Sequence, residues 1–251
     1  LLQHNCQPAE IVGLGVRVGS YDGAMPGNAK IAVIAALPRE IAGFVRGLGA
    51  DPALLRDGVW LYRMNGALVV AAGMGAERAA VAVEAALSVG DVGMLISTGL
   101  AGACVAGVLA GSVMEAGAVL DAATGEGFVA GDGSGMTLAS AKAIASVAEK
   151  VRLAESFGAA MVDMEAATVG RLAMARGLGF RAIKGVSDGY DFELEALTQF
   201  EGERGSFRTG AFAAYTALRP WTWGKAIELG RGSAKALAGL EAALRGVLAE
   251  S

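Results

Sequence analysis

Histidine is almost missing from this chain of 251 residues, and its single copy, His4, lies at the very beginning. The body of the chain has no material for a Ser–His or Cys–His nucleophile pair or for a histidine-built metal site, so no metal is expected. General acid and base work falls to Asp, Glu, Lys, Tyr or Cys. The two cysteines, Cys6 and Cys104, stand far apart, which excludes a disulfide framework and fits a reducing, cytoplasmic setting. Charge is sparse as well: 18% of residues are charged, the net charge is -4, and no basic run occurs. Those figures argue against nucleic acid as a partner.

What the chain has in quantity is small and apolar, with 38 glycines and 54% hydrophobic residues but only 6% aromatics. Such a composition gives a compact, turn-rich body. The length suits one large α/β domain, read as residues 25–251 with Met25-Pro26-Gly27 as its start. Residues 1–24 have neither the basic start nor the apolar core of a secretion signal and are read as a leader of doubtful role. The run Val92 to Met114 carries no charge and is long enough to cross a bilayer. Gly93, Gly99, Gly102, Gly107 and Gly111 interrupt it, so it reads as a buried strand, a glycine loop and a return, with no membrane span.

Periodicity places strands and helices in alternation. Ile31 to Leu37 is a strand that meets Pro38 and a helical pattern through Ile41, Phe44, Val45 and Leu48. Gly58 to Met64 and Ala67 to Ala72 form a hairpin about Asn65-Gly66. Gly73-Met-Gly75 opens a helix over Ala76 to Leu87, and strands follow at Met94 to Thr98 and Ala118 to Asp121. Gly125 to Gly135 reads as a loop, Ala141 to Phe157 as an exposed helix, Ala159 to Met164 as a strand and Ala166 to Arg176 as a helix. Phe180 to Ser187 is the last strand. After Glu193 only helical signals remain, ending in the apolar stripe Ala234, Leu237, Leu240, Leu244, Leu248. The alternation predicts an α/β fold around a buried sheet, with ligands at the carboxyl ends of strands.

Two carboxylates at such ends stand out. Met161-Val-Asp-Met-Glu-Ala-Ala167 and Phe180-Arg-Ala-Ile-Lys-Gly-Val-Ser-Asp-Gly189 each run an apolar strand into an isolated acid, Glu165 and Asp188. A buried carboxylate needs a partner or shifts its pKa, which functional sites exploit. The plainer alternative is that Glu165 starts a helix and Asp188 caps a turn. Gly73-Met-Gly75 could cradle a phosphate, but Arg78 stands where a dinucleotide fingerprint has its third glycine and no Gly-Lys-Ser/Thr follows, so a nicotinamide or P-loop reading is weak. Gly13-Leu-Gly15 is weaker still.

The order Ile31-Ala-Val-Ile-Ala-Ala-Leu-Pro-Arg-Glu40, Gly73-Met-Gly75, Ile96-Ser-Thr-Gly-Leu-Ala-Gly102, Val162-Asp-Met-Glu-Ala-Ala167 and Ile183-Lys-Gly-Val-Ser-Asp188 resembles the nucleoside phosphorylase superfamily. Within it the similarity is greatest to the 5'-methylthioadenosine/S-adenosylhomocysteine nucleosidases, and it runs from about Lys30 to Asp188. The resemblance implies a single-domain, three-layer α/β/α phosphorylase/hydrolase-like fold with a mixed central sheet, a homodimer, and no cofactor. By position, Asp188 resembles the general acid at the purine, Glu165 the carboxylate holding the ribose hydroxyls, Met164 the side chain beside the sugar and Glu40 the residue that activates water. Ser187 and Lys184 fall where the family has a serine and an arginine supporting the aspartate, and Gly102 belongs with the substrate contacts. Lys184 for arginine is a departure, since lysine lacks the planar two-pronged fork. Leu100 is another, standing where many relatives carry a serine that contacts the nucleophile. The family's base-stacking loop falls between Gly125 and Ser140, where no stacking residue can be assigned.

These residue types suit N-glycosidic cleavage, which builds positive charge on the ribose and negative charge on the departing base. An acid at the base and a carboxylate at the sugar act on opposite ends of one transition state. To be protonated near neutrality Asp188 needs its pKa raised from roughly 3.9 by about three units. Phosphate as nucleophile needs cations; Arg39 and Arg78 are the nearby candidates and each reads as a solvated helix-start residue, so water is favoured. The expected activity is a purine nucleosidase in nucleoside catabolism and methionine salvage. The alternatives are a phosphorylase acting on a bulky or lipid-linked adenosine, with Trp221-Thr-Trp223 and the apolar tail forming the 5' pocket, and a nucleoside-binding protein without turnover.

Overall fold

The computed structural model describes residues 30–55, 57–194, 199–200, 202–219 and 222–250. The leader, with His4 and Cys6, and Trp221 lie outside the described residues. The frame is a ten-stranded mixed sheet in the order β2-β3-β1-β4-β10-β5-β9-β8-β6-β7. Its strands are β1 (Lys30–Ala35), β2 (Trp60–Met64), β3 (Ala67–Ala71), β4 (Val92–Ser97), β5 (Leu100–Ala103), β6 (Val113–Asp121), β7 (Gly127–Val129), β8 (Met136–Ser140), β9 (Ala159–Asp163) and β10 (Gly179–Asp188). The helices are α1 (Pro38–Ile41), α2 (Pro52–Leu55), α3 (Ala76–Val89), α4 (Val147–Phe157), α5 (Ala166–Ala175), α6 (Thr209–Ala217) and α7 (Trp223–Ala249).

Strand β10 organises the sheet. Its first half runs parallel to β4 from Gly179 to Ala182, and its second half runs parallel to β5, where Asp188 faces Gly102. Ala182 to Gly185 also pair antiparallel with β6. Because β5 continues through β9 and β8 back to β6, the strands β10, β5, β9, β8 and β6 form a closed ring. Continuous apolar runs such as Ile31 to Ala35 are buried on both faces, as parallel strands covered on two sides require. One face carries α3 and α5 through Ala79, Ala82, Val83, Val169 and Ala173. The other carries Ile41, Phe44 and the stripe Leu240, Leu244, Val247 of α7. The mixed sheet with helices on both faces is the expected fold class.

Four local expectations need correction. The helix expected after Pro38 is a single turn, α1, although Ile41, Phe44 and Val45 are buried as the pattern implied. The supposed glycine loop after Gly99 is strand β5, because pairing to both β10 and β9 outweighs the low strand propensity of Gly and Ala. Gly125 to Gly135 is not all loop either: β7 pairs with β6 there, and Phe128 is buried. The helix expected from Ala141 begins only at Val147, where the Ser146 hydroxyl accepts the Glu149 amide at 3.2 Å, a cap that fixes the start. The uncharged run from Val92 becomes β4, β5, a turn and the first residues of β6, and no described helix is long and apolar enough to cross a membrane.

Candidate active site

A cavity of about 470 Å³ opens at the carboxyl ends of the central strands. Glu40, Glu165 and Asp188 all line it, together with Met164, Ser187 and Gly102. Six of the seven residues singled out from the sequence thus share one space. Lys184 alone is not on the wall.

Glu40 sits in the one-turn α1, and its carboxylate turns back toward the end of β1. It accepts the amides of Ala36 (3.1 Å), Leu37 (3.0 Å) and Leu100 (3.4 Å). Gly99 makes room for it: φ is +113° there, and a β-carbon would come 2.7 Å from the Glu40 Oε2. Burial pushes the Glu40 pKa up, against the downward pull of the Leu37 amide and the Lys184 charge. The Leu100 side chain brings no hydroxyl, but its backbone amide faces Glu40.

Glu165 occupies the residue before α5, and its Oε1 accepts the Gly75 amide at 2.7 Å at the start of the 14-residue α3. The positive end of α3 faces a carboxylate there. Burial first, and the neighbouring Asp163 charge second, raise the Glu165 pKa to about 7. Asp188 ends β10, 2% exposed. Burial raises its pKa, opposed by Lys150 and the Ser187 hydroxyl, which donates to Asp188 Oδ1. This upward direction is the one expected of a general acid.

The cation on Asp188 is not the one expected. Lys184 turns away, its ammonium held by Asp163 Oδ2 (2.8 Å), Ser97 Oγ (3.0 Å) and the Thr98 carbonyl (3.0 Å), entirely buried. An ammonium lacks the planar fork of a guanidinium, and here its three hydrogens go to Asp163, Ser97 and Thr98. Asp188 instead meets Lys150 of α4, whose Nζ lies 2.5 Å from Oδ2 and also donates to the carbonyls of Gly189 (2.8 Å) and Phe192 (3.0 Å). Both members of this pair have side chains 1% exposed. Sequence reasoning missed Lys150 because the charge pattern of its helix read as solvent-facing. The available signal was its spacing, three residues before Leu153 on the buried stripe.

Asp163 was also passed over. Its Oδ1 accepts the Ser140 hydroxyl at 2.6 Å and its Oδ2 the Ala166 amide at 3.0 Å, so it caps α5 and fixes where Glu165 points. Away from the carboxylates the wall is apolar: Phe207, Phe212, Leu229 and Leu237 come from the helical end of the chain, and Ala143 and Ile144 from the segment before α4. Phe207 and Phe212 pack with centroids 5.9 Å apart, and Arg39 stacks over Phe207 at 5.0 Å. Trp223 is half exposed and is not on this wall. Arg78 is committed elsewhere, donating to the carbonyls of Ala72, Asp57 and Gly58. Cys104, pushed up to about 12 by burial, is a neutral thiol.

This mixed sheet, with its acids gathered at the ends of β1, β9 and β10, defines a protein with the nucleoside phosphorylase/nucleosidase fold. Residues 118–215 match the family model described as the phosphorylase superfamily. Among solved structures, the 5'-methylthioadenosine/S-adenosylhomocysteine nucleosidase of Helicobacter pylori bound to butyl-thio-DADMe-Immucillin-A is similar, with a TM-score of 0.66 and 13% identity over 90% of this chain and 100% of that one. Futalosine hydrolase from Helicobacter pylori gives 0.65 at 13% identity, covering 89% and 99%. The 5'-methylthioadenosine nucleosidase of Arabidopsis thaliana gives 0.65 at 17%, covering 88% and 94%. No curated protein sequence matches the chain. The resemblance read from the sequence therefore holds in both the family model and the fold.

Proposed function

We propose that this protein is an N-glycosyl hydrolase that cleaves purine nucleosides of the adenosine type with water. The observation that carries this reading is the convergence of three acids from separate strand ends, Glu40, Glu165 and Asp188, on one cavity. In the proposed reaction Asp188 gives its proton to the purine as the bond to C1' lengthens, Glu165 holds the ribose hydroxyls and faces the positive charge growing on the sugar, and Glu40 takes a proton from the attacking water. Met164 packs beside the sugar and Ser187 orients Asp188 through its hydroxyl. Gly102 matters by what it lacks: a β-carbon there would come 3.0 Å from Asp188 Oδ2 and 3.2 Å from Lys150 Cε.

Water is favoured over phosphate by the state of the cations. Among the described residues, the cations on the cavity wall are Arg39 and Lys150. All three ammonium hydrogens of Lys150 are committed, which leaves one cation on this wall, Arg39 over the Phe207 ring, to meet a dianion. A phosphate dianion would also meet the Glu40 carboxylate, which a phosphorylase has reason to avoid. The apolar wall of Phe207, Phe212, Leu229 and Leu237 favours a 5' group without charge, so methylthioadenosine is expected to be turned over faster than S-adenosylhomocysteine. A larger apolar 5' group is compatible with the same wall.

The test is base release from methylthioadenosine, S-adenosylhomocysteine and adenosine, with and without phosphate, beside Asp188→Asn. Phosphate-independent release that the substitution abolishes supports the hydrolase. Release only with phosphate would make it a phosphorylase, and binding without release a nucleoside-binding protein.

A further inference from the structure

Resting on that reading for its catalytic meaning, but not for its measurement, we propose that Lys150 is a positioning residue for Asp188: its ammonium fixes the carboxylate and governs when Asp188 carries a proton. The argument begins with cost. An ammonium withdrawn from water to 1% exposure is strongly unfavourable unless it is paired and fully hydrogen-bonded. Lys150 meets both conditions with Asp188 Oδ2 and the carbonyls of Gly189 and Phe192, so its three donors are saturated in one geometry. The two carbonyls tie the chain leaving β10 to α4, so the lysine anchors the backbone on which Asp188 sits as well as the carboxylate itself. Room for the pair is provided by Gly102 across the β5–β10 register.

The surroundings leave Lys150 as the dominant charge on Asp188. Ser187 donates a neutral hydrogen bond from the same strand, and Cys104 beyond β5 is a neutral thiol. Glu149 on α4 is half-buried and paired with Arg152, and Lys184 from β10 is turned onto Asp163. Across the cavity stand Glu165 beyond β9 and Glu40 of α1, each held by backbone amides. The consequence has a definite sign. A neighbouring cation favours the ionised carboxylate, so removing it must move the Asp188 titration to higher pH, while loosening Asp188 must slow base release.

The experiment titrates Asp188 in protein labelled with ¹³C at aspartate carboxyl carbons, the Asp188 signal being identified by its loss in Asp188→Asn. Lys150→Met is expected to move that titration upward by at least one pH unit. Lys150→Arg, which keeps the charge, is expected to leave it nearer the native value. In turnover, Lys150→Met should lower kcat at least tenfold and shift the alkaline limb of the rate profile upward with the titration. Should Lys150→Met fail to fold, Gly102→Ala displaces the same pair and should shift the Asp188 titration with the sheet intact. An unmoved Asp188 titration in a folded variant overturns the proposal. Absence of turnover by the native protein overturns the hydrolase reading instead, and the titration still decides the role of Lys150 as governor of the Asp188 proton.

Discussion

Two buried lysine–aspartate pairs stand within the same end of the sheet and serve different ends. In the Lys184–Asp163 pair the carboxylate commits its oxygens to the Ser140 hydroxyl, the Ala166 amide and the ammonium, and so clamps the start of α5 to β8 and β10. In the Lys150–Asp188 pair the carboxylate takes only the ammonium and the neighbouring Ser187 hydroxyl, which leaves lone pairs for a ligand. Both lysines also bond backbone, Lys184 at the Thr98 carbonyl and Lys150 at the Gly189 and Phe192 carbonyls. The contrast teaches that a buried ion pair is not a role in itself. What differs is how far the carboxylate is engaged: Asp163 is held by three donors from three elements, and Asp188 by two, with more of its lone pairs left for a ligand.

The sharpest way to separate the pairs is to remove one carboxylate charge in each. Asp188→Asn keeps an acceptor for Lys150 but cannot give a proton, and base release is expected to fall by about 10²- to 10⁴-fold with the fold retained. A loss of less than tenfold would remove Asp188 from the acid role. Lys184→Met, by contrast, leaves Asp163 buried without its cation, and urea unfolding should show a loss of about 3–5 kcal/mol. An unchanged unfolding midpoint would show that the second pair is not structural.

A smaller effect separates the acids by pH. Glu165, with its pKa raised to about 7 from 4.5, keeps its proton in the folded, ligand-free protein at pH values where the unfolded chain has already lost it, so stability falls as pH rises across that window. Its contribution is fully present below about 4.5 and is lost as pH rises through about 7. Stability measured over that window should decline in the native protein and decline less in Glu165→Gln. In the proposed reaction Glu165 acts ionised, so kcat/KM is expected to rise through about pH 7 and fall again where Asp188 loses its proton. The smallest change expected is Ser140→Ala, which removes the hydrogen bond to Asp163 and the one the hydroxyl accepts from the Ala167 amide at 2.9 Å, while Lys184 and the Ala166 amide still hold Asp163, at a cost of about 1–3 kcal/mol in urea unfolding.

Much of this was legible in the chain. The alternation of apolar runs with helical periods pointed to the layered fold, and the positions of Glu40, Glu165 and Asp188 at strand ends pointed to three acids that line one cavity. Pairing partners were not legible: β5 and β7 are short, glycine-rich strands that exist because β10, β9 and β6 offer edges to them. Lys150 was hidden for a similar reason. A lysine on a charged helix is usually solvated, and only the closure of the sheet brings α4 over β9 and puts its ammonium beside Asp188, 38 positions away. Much of the apolar wall comes from Phe207, α6 and α7; the sequence offered the apolar tail as a 5' pocket but did not show which of its residues face the cavity.

The most direct test of the account compares the native protein with Glu40→Gln in phosphate-free buffer, measuring adenine released from methylthioadenosine. The account predicts steady release by the native protein and, in the variant, a loss of at least a hundredfold with substrate binding retained. Release by the native protein only after phosphate is added, or undiminished release by Glu40→Gln, would contradict it.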